Sequence, residues 1–126
     1  MASSRSVDPA QLRAAVQAIS PWLQGDAPDP ARAELAAAVR LSLRTLAADA
    51  PGRTVEVRVP PFAAVQCIEG PRHTRGTPPN VIEMDPRTWL ELATGQMDWT
   101  TAVEGGRVTA SGTRADLSRW LPILRI

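Results

Sequence analysis

Residues 80–124 spell out an alternation of element starts and stops that leaves little freedom in what the chain can build. Val81-Ile82-Glu83-Met84 is a short strand running into Asp85-Pro86, where a carboxylate can cap a helix and a proline takes the first helical position. The pattern predicts a helix over 87–94, ended by Gly95, the residue best suited to the left-handed turn after a helix. Asp98 opens a second short helix over 99–104, which Gly105-Gly106 ends. A strand is expected over 107–110, Ser111-Gly112 breaks it, and Thr113 can cap a last helix reaching Trp120-Leu121.

The front half is built differently. Asp8-Pro9 repeats the helix-start chemistry, and Leu12, Val16, Ile19 and Leu23 then form one apolar stripe. Pro21 is expected to kink or end that helix, with a turn over 25–30. A second helix is predicted over 31–49, with Leu35, Val39, Leu43 and Leu46 on one face and Arg32, Glu34, Arg40 and Arg44 largely elsewhere. Leu41 falls outside the narrow stripe, so the buried face should be broad. After Pro51-Gly52 the period drops to two: Val55, Val57 and Val59 alternate with Thr54, Glu56 and Arg58, the mark of a strand with one dry face. Pro60-Pro61 interrupts, and a second strand over 62–69 puts Ala63, Val65 and Cys67 on a common face. Residues 69–80 carry Gly70, Pro71, Gly76, Pro78 and Pro79, which excludes regular structure, and loops of this length are often functional.

Helices first, then strands with inserted helices, is an α+β order. The expected architecture is a mainly antiparallel sheet of four to five strands, covered on one face by about five helices, with the strand order left open. Residues 1–7 are expected to be a tail, and 8–126 a single domain.

Composition excludes several functions. The 126 residues are enough for a real core, burying roughly two thirds of the unfolded surface. A net charge of +1, with no basic stripe and no aromatic stacking platform, argues against a nucleic-acid partner. All 14 basic residues are arginine, which fits the codon bias of a GC-rich genome better than a phosphate-binding surface. One cysteine and one histidine exclude an internal disulfide and a cysteine or histidine metal site, so no metal or other cofactor is expected. The start of the chain has no apolar signal core and no apolar run approaches a membrane span. A cytoplasmic protein without stable membrane insertion is expected.

Ala93-Thr94-Gly95-Gln96-Met97, followed after a short helix by Gly106-Arg107-Val108-Thr109-Ala110-Ser111-Gly112, resembles the C-terminal half of the sterol carrier protein fold. Gln96 stands where lysine is common in that family, and Thr109 and Ser111 are more polar than usual. Residues 59–80 are unlike the eukaryotic carriers and similar to a small bacterial, actinobacterial subgroup. The resemblance implies an apolar cavity between sheet and helices. It also implies non-covalent binding or transfer of a fatty acyl, lipid or sterol-like ligand, and no catalysis. The alternative is an interaction or accessory module with a filled core that partners an enzyme and holds no ligand. A protein partner or a homodimer stays open under either reading.

Candidate cavity residues are Phe62, Val65, Leu90, Met97, Trp99, Val103, Leu117, Trp120 and Leu121, which could equally pack on one another as ordinary core. Trp99 and Trp120, near helix ends, suit the half-wet position of a portal. Arg72, His73 and Arg75 are the candidates for an anionic headgroup, with pairing to Glu69 or Glu83 as the alternative for the arginines. A catalytic set would need Cys67, His73 and a carboxylate such as Glu69 or Asp85. The mid-strand parity of Cys67 favours a buried, inert thiol, and no catalytic residue is expected.

Overall fold

The computed structural model describes residues 6–70 and 80–126. Two helices, α1 (Pro9–Leu23) and α2 (Arg32–Asp49), precede the hairpin β1 (Val55–Val59) and β2 (Ala63–Cys67). After them come β3 (Asn80–Met84), α3 (Pro86–Ala93), α4 (Trp99–Glu104) and β4 (Val108–Ser111).

Asp8 caps α1 through Oδ1, which accepts from the Ala10 N–H at 2.9 Å, and the stripe of Leu12, Val16, Ile19 and Leu23 is buried as spaced. Pro21 does not end α1. It sits inside the last turn, where the missing N–H costs one bond and the helix still reaches Leu23. In α2, Val39, Leu43 and Leu46 are sealed, and Leu41 is half-buried on the flank of that broad face.

The sheet order is β2-β1-β3-β4. Its outer pairs, β1 with β2 and β3 with β4, are antiparallel, while the central pair β1 with β3 is parallel, Val57 standing opposite Ile82. The sheet is therefore mixed, with four strands among the described residues. The parallel seam arises because the hairpin carries the chain to one edge, and the chain then comes back to the start of β1. There the Ile68 carbonyl accepts from the Thr54 N–H at 3.1 Å, and the Asn80 side-chain amide donates to the Thr54 carbonyl at 3.1 Å. β3 thus enters beside β1 in the same direction. Gly52 makes that return possible. Its φ is +145°, and a Cβ there would fall 2.1 Å from the Ile68 carbonyl oxygen.

Period two sorts the sheet into faces. Val55, Val57, Val59, Cys67, Ile82, Met84 and Val108 are buried under the helices. Glu56, Arg58, Gln66, Glu83 and Thr109 lie on the other face, where Arg58 bridges Glu56 at 2.9 Å and Glu83 at 4.0 Å.

The described residues hold four helices, and the expected last one over 113–121 does not form. Asp116 instead accepts from the Ser118 N–H at 2.8 Å in a local turn, a bond that competes with helix. Leu117 drops into the core, and a turn closes from the Trp120 N–H to the Leu117 carbonyl at 2.9 Å. Beyond Pro122 the chain lies across the end of α3, where the N–H groups of Ile123 and Leu124 both reach the Ala93 carbonyl, at 2.8 and 2.9 Å.

Candidate functional site

The space between sheet and helices is occupied by side chains. Trp89, Leu90 and Leu117 are fully buried, and with Leu43, Leu46, Val57 and Ile82 they belong to one contiguous core. Trp89 and its partner Ser42 satisfy each other there, the indole Nε1 donating to Ser42 Oγ at 2.7 Å.

The half-buried candidates lie at the margin of this core. α3 ends at Ala93, Gly95 turns the chain with φ +82°, and Met97 leads to the start of α4. The C-terminal segment docks on the same helix end, leaving an open groove of about 260 Å³ between the two. Leu92, Met97, Trp99, Leu121 and Pro122 wall it, and Asp98 and Arg125 stand on it as charged groups. The Arg125 Nη1 lies over Gly95, 3.0 Å from where a Cβ would be. Asp98 has no capping hydrogen bond to α4, so its carboxylate is not committed to the helix it precedes.

Three of the nine apolar candidates therefore share a groove: Met97, Trp99 and Leu121. Val65 lines a separate groove of about 350 Å³ beside Arg44, Ala47, Ala48 and Arg53. Phe62 belongs to a third, next to Pro60-Pro61, with the Arg32 guanidinium 5.1 Å above its ring. Trp120 is half-buried against the core under the Arg119 guanidinium, and Val103 is 38% exposed. Arg72, His73 and Arg75 lie outside the described residues, and Glu83 pairs with Arg58.

A polar belt holds α3 between the start of β4 and the end of α1. Asp85 caps α3, accepting from the Thr88 N–H at 3.2 Å and from the Thr88 hydroxyl at 2.5 Å. Arg107, entering β4, donates to Thr88 Oγ1 at 3.0 Å and to Glu91 at 2.9 Å. Arg87 reaches Glu91 at 3.5 Å, stacks 4.2 Å above Trp22 and donates to the Trp22 and Leu23 carbonyls at the end of α1. Partial burial opposes ionisation of Asp85. The Thr88 hydroxyl, backbone N–H groups and the Arg107 charge outweigh it and hold the carboxyl below its ordinary value.

Cys67 is sealed, and burial pushes its thiol up to about 11, which disfavours the thiolate that a nucleophile needs. Asp85 is engaged with Thr88. Among the described residues no cluster of histidine, cysteine or carboxylates is arranged to hold a metal ion.

Sequence reasoning did not single out Arg125, Arg44 or Arg53. The first follows no repeating pattern. Arg44 sits off the apolar stripe of α2, where an arginine reads as a solvated face, and Arg53 lies in the turn between α2 and β1. The only available signal was their chemistry as anion donors, which every arginine in the chain shares.

A family model described as bacterial SCP ortholog matches residues 31–123. No curated protein matches the chain in sequence.

Proposed function

The chain belongs to the bacterial SCP ortholog family, and from that membership we propose that it binds a single-chain amphiphile, non-covalently and without catalysis, in the groove between α3, α4 and the C-terminal segment. The observation that carries this reading is the meeting of Met97, Trp99 and Leu121 with the Arg125 guanidinium in one groove. Apolar walls with a few placed polar groups are the usual make-up of a ligand site, and a guanidinium suits a carboxylate head. At about 260 Å³ the groove falls short of the roughly 300–1,000 Å³ usual for ligand sites, so a slim acyl chain suits it better than a bulky fused-ring sterol. The C-terminal segment, which two N–H groups tie to the Ala93 carbonyl, supplies the wall most able to yield to a longer chain. Activity in the cytoplasm belongs to the same reading. Among the described residues no helix is long and apolar enough to cross a membrane.

Titration with dodecanoate and with dodecanol tests it, read by tryptophan fluorescence and calorimetry. Saturable binding of both is expected. Met97→Trp, which fills the groove, should weaken both at least tenfold, and Arg125→Glu should weaken only the acid. Unchanged binding of both ligands by Met97→Trp would place the ligand elsewhere and end the proposal.

The filled interior around Trp89, Leu90 and Leu117 favours a second reading, an interaction or accessory module that partners an enzyme. Failure of every amphiphile to bind the unaltered protein would support it.

A further inference from the structure

We propose that the free edge of β2, together with the arginines along α2, docks an extended acidic segment of another protein by strand addition. β2 pairs with β1 on one side, and among the described residues no strand covers its other edge. Its sequence, Ala63-Ala64-Val65-Gln66-Cys67, contains no charge and no proline, the devices that ordinarily keep an edge strand from pairing. The described chain does not return to that edge. After Cys67 it turns to Thr54 at the start of β1, against which Gly70 packs.

α2 runs alongside β2 and follows it from start to finish. Arg32 stacks over Phe62, and Arg40 Nε donates to the Phe62 carbonyl at 3.3 Å. Arg44, Ala47 and Ala48 face Val65 and Gln66 across the 350 Å³ groove, and the Ala50 carbonyl accepts from the Ile68 N–H at 2.7 Å. Arg53 closes the far end of the groove. Among the described residues, Arg32, Arg40, Arg44 and Arg53 form no ion pair, whereas Arg58, Arg87 and Arg107 each hold a carboxylate. Arg44 and Arg53 also make no side-chain hydrogen bond there.

The stretch from Ala63 to Gln66, half-buried or exposed where Cys67 is sealed, supplies backbone donors and acceptors, the Ala47, Ala48 and Val65 strip an apolar floor, and the arginines a sign. An added strand with alternating apolar and acidic side chains satisfies all three. A second copy of this chain does not. Two-fold pairing of β2 with β2 sets the two arginine rows against each other, at a cost that rises as salt falls.

The test is fluorescence anisotropy with a labelled eight-residue peptide alternating valine and glutamate. Three comparison probes are its lysine counterpart, a version N-methylated at alternate backbone positions, and a dT12 oligonucleotide. The acidic peptide should bind, the lysine peptide should not, and backbone methylation should weaken binding at least tenfold. Arg44→Glu with Arg53→Glu, both exposed positions, should weaken it at least tenfold while leaving the circular dichroism unchanged. Equal binding of the methylated peptide would reduce the contact to charge alone and overturn strand addition. Tighter binding of dT12 would overturn the acidic-protein assignment. Concentration-dependent dimerisation in ultracentrifugation that blocks the peptide would make the second copy the occupant, and would overturn it too.

Discussion

Trp89 Nε1 donates to Ser42 Oγ across 2.7 Å at the centre of the core, with both residues sealed from water. The Ser42 hydroxyl in turn donates to the Ala38 carbonyl at 2.6 Å, so one mid-helix serine satisfies the largest side chain of the interior and is itself satisfied. A buried indole is tolerable in this core because α2 offers an oxygen where α3 delivers the N–H.

Ser42→Ala should therefore destabilise the protein by about 1–3 kcal/mol, because it strands the indole N–H rather than merely removing a bond. Urea unfolding with an unchanged slope measures this. The double variant with Trp89→Phe should cost less than the two single changes together, since removing the donor removes the penalty.

Asp85 gives the fold an acid-sensitive edge. Its carboxyl sits below the ordinary value in the folded protein, so ionised Asp85 adds stability above the unfolded-state value of about 4. That contribution is lost as pH falls through the lower folded value. Asp85→Asn should leave the unfolding midpoint less dependent on pH as pH falls below the unfolded-state value of about 4. Asp85→Ala should cost about 1 kcal/mol at neutral pH through loss of the helix cap.

The Cys67 thiol, pushed up to about 11 and sealed under α2, should resist alkylation at pH 7.5. Its reaction with iodoacetamide should track global unfolding as urea is raised. Rapid labelling in the absence of denaturant would show that the β2 end opens on its own.

Gly52 and Gly95 should respond differently to alanine, although both have positive φ. At Gly52 the new Cβ meets the Ile68 backbone at 2.1 Å, so the chain itself must shift, and a loss of at least about 3 kcal/mol is expected. At Gly95 it meets the far end of the flexible Arg125 side chain, leaving a conformational cost of about 1 kcal/mol. Thermal unfolding of the two variants gives the comparison.

Local chemistry was legible wherever a residue acts on its own neighbours. Asp8, Asp85 and the valines of β1 announced their helices and strand, and α4 spans Trp99–Glu104 as the spacing predicts. What the sequence hid depends on distant partners. The parallel pairing of β1 with β3 follows from where the chain returns, which no period records. The segment after Gly112 carries helix signals yet stays irregular, because Leu117 is drawn into the core and the Ala93 carbonyl captures the N–H groups of Ile123 and Leu124. The apolar candidates, offered as cavity lining, are buried or half-buried residues, Val103 excepted. Their division among separate grooves was invisible, since spacing along a helix does not say which neighbour fills the gap.

The parallel seam also sets the order in which this molecule can assemble. The β1–β2 hairpin on α2 and the β3–α3–α4–β4 run are each local in sequence and can collapse early. Val57 and Ile82 meet only after the intervening chain has closed on itself, an entropic cost that falls before the pairing returns anything. The middle of the sheet, which needs that closure first, is thus expected to pair last.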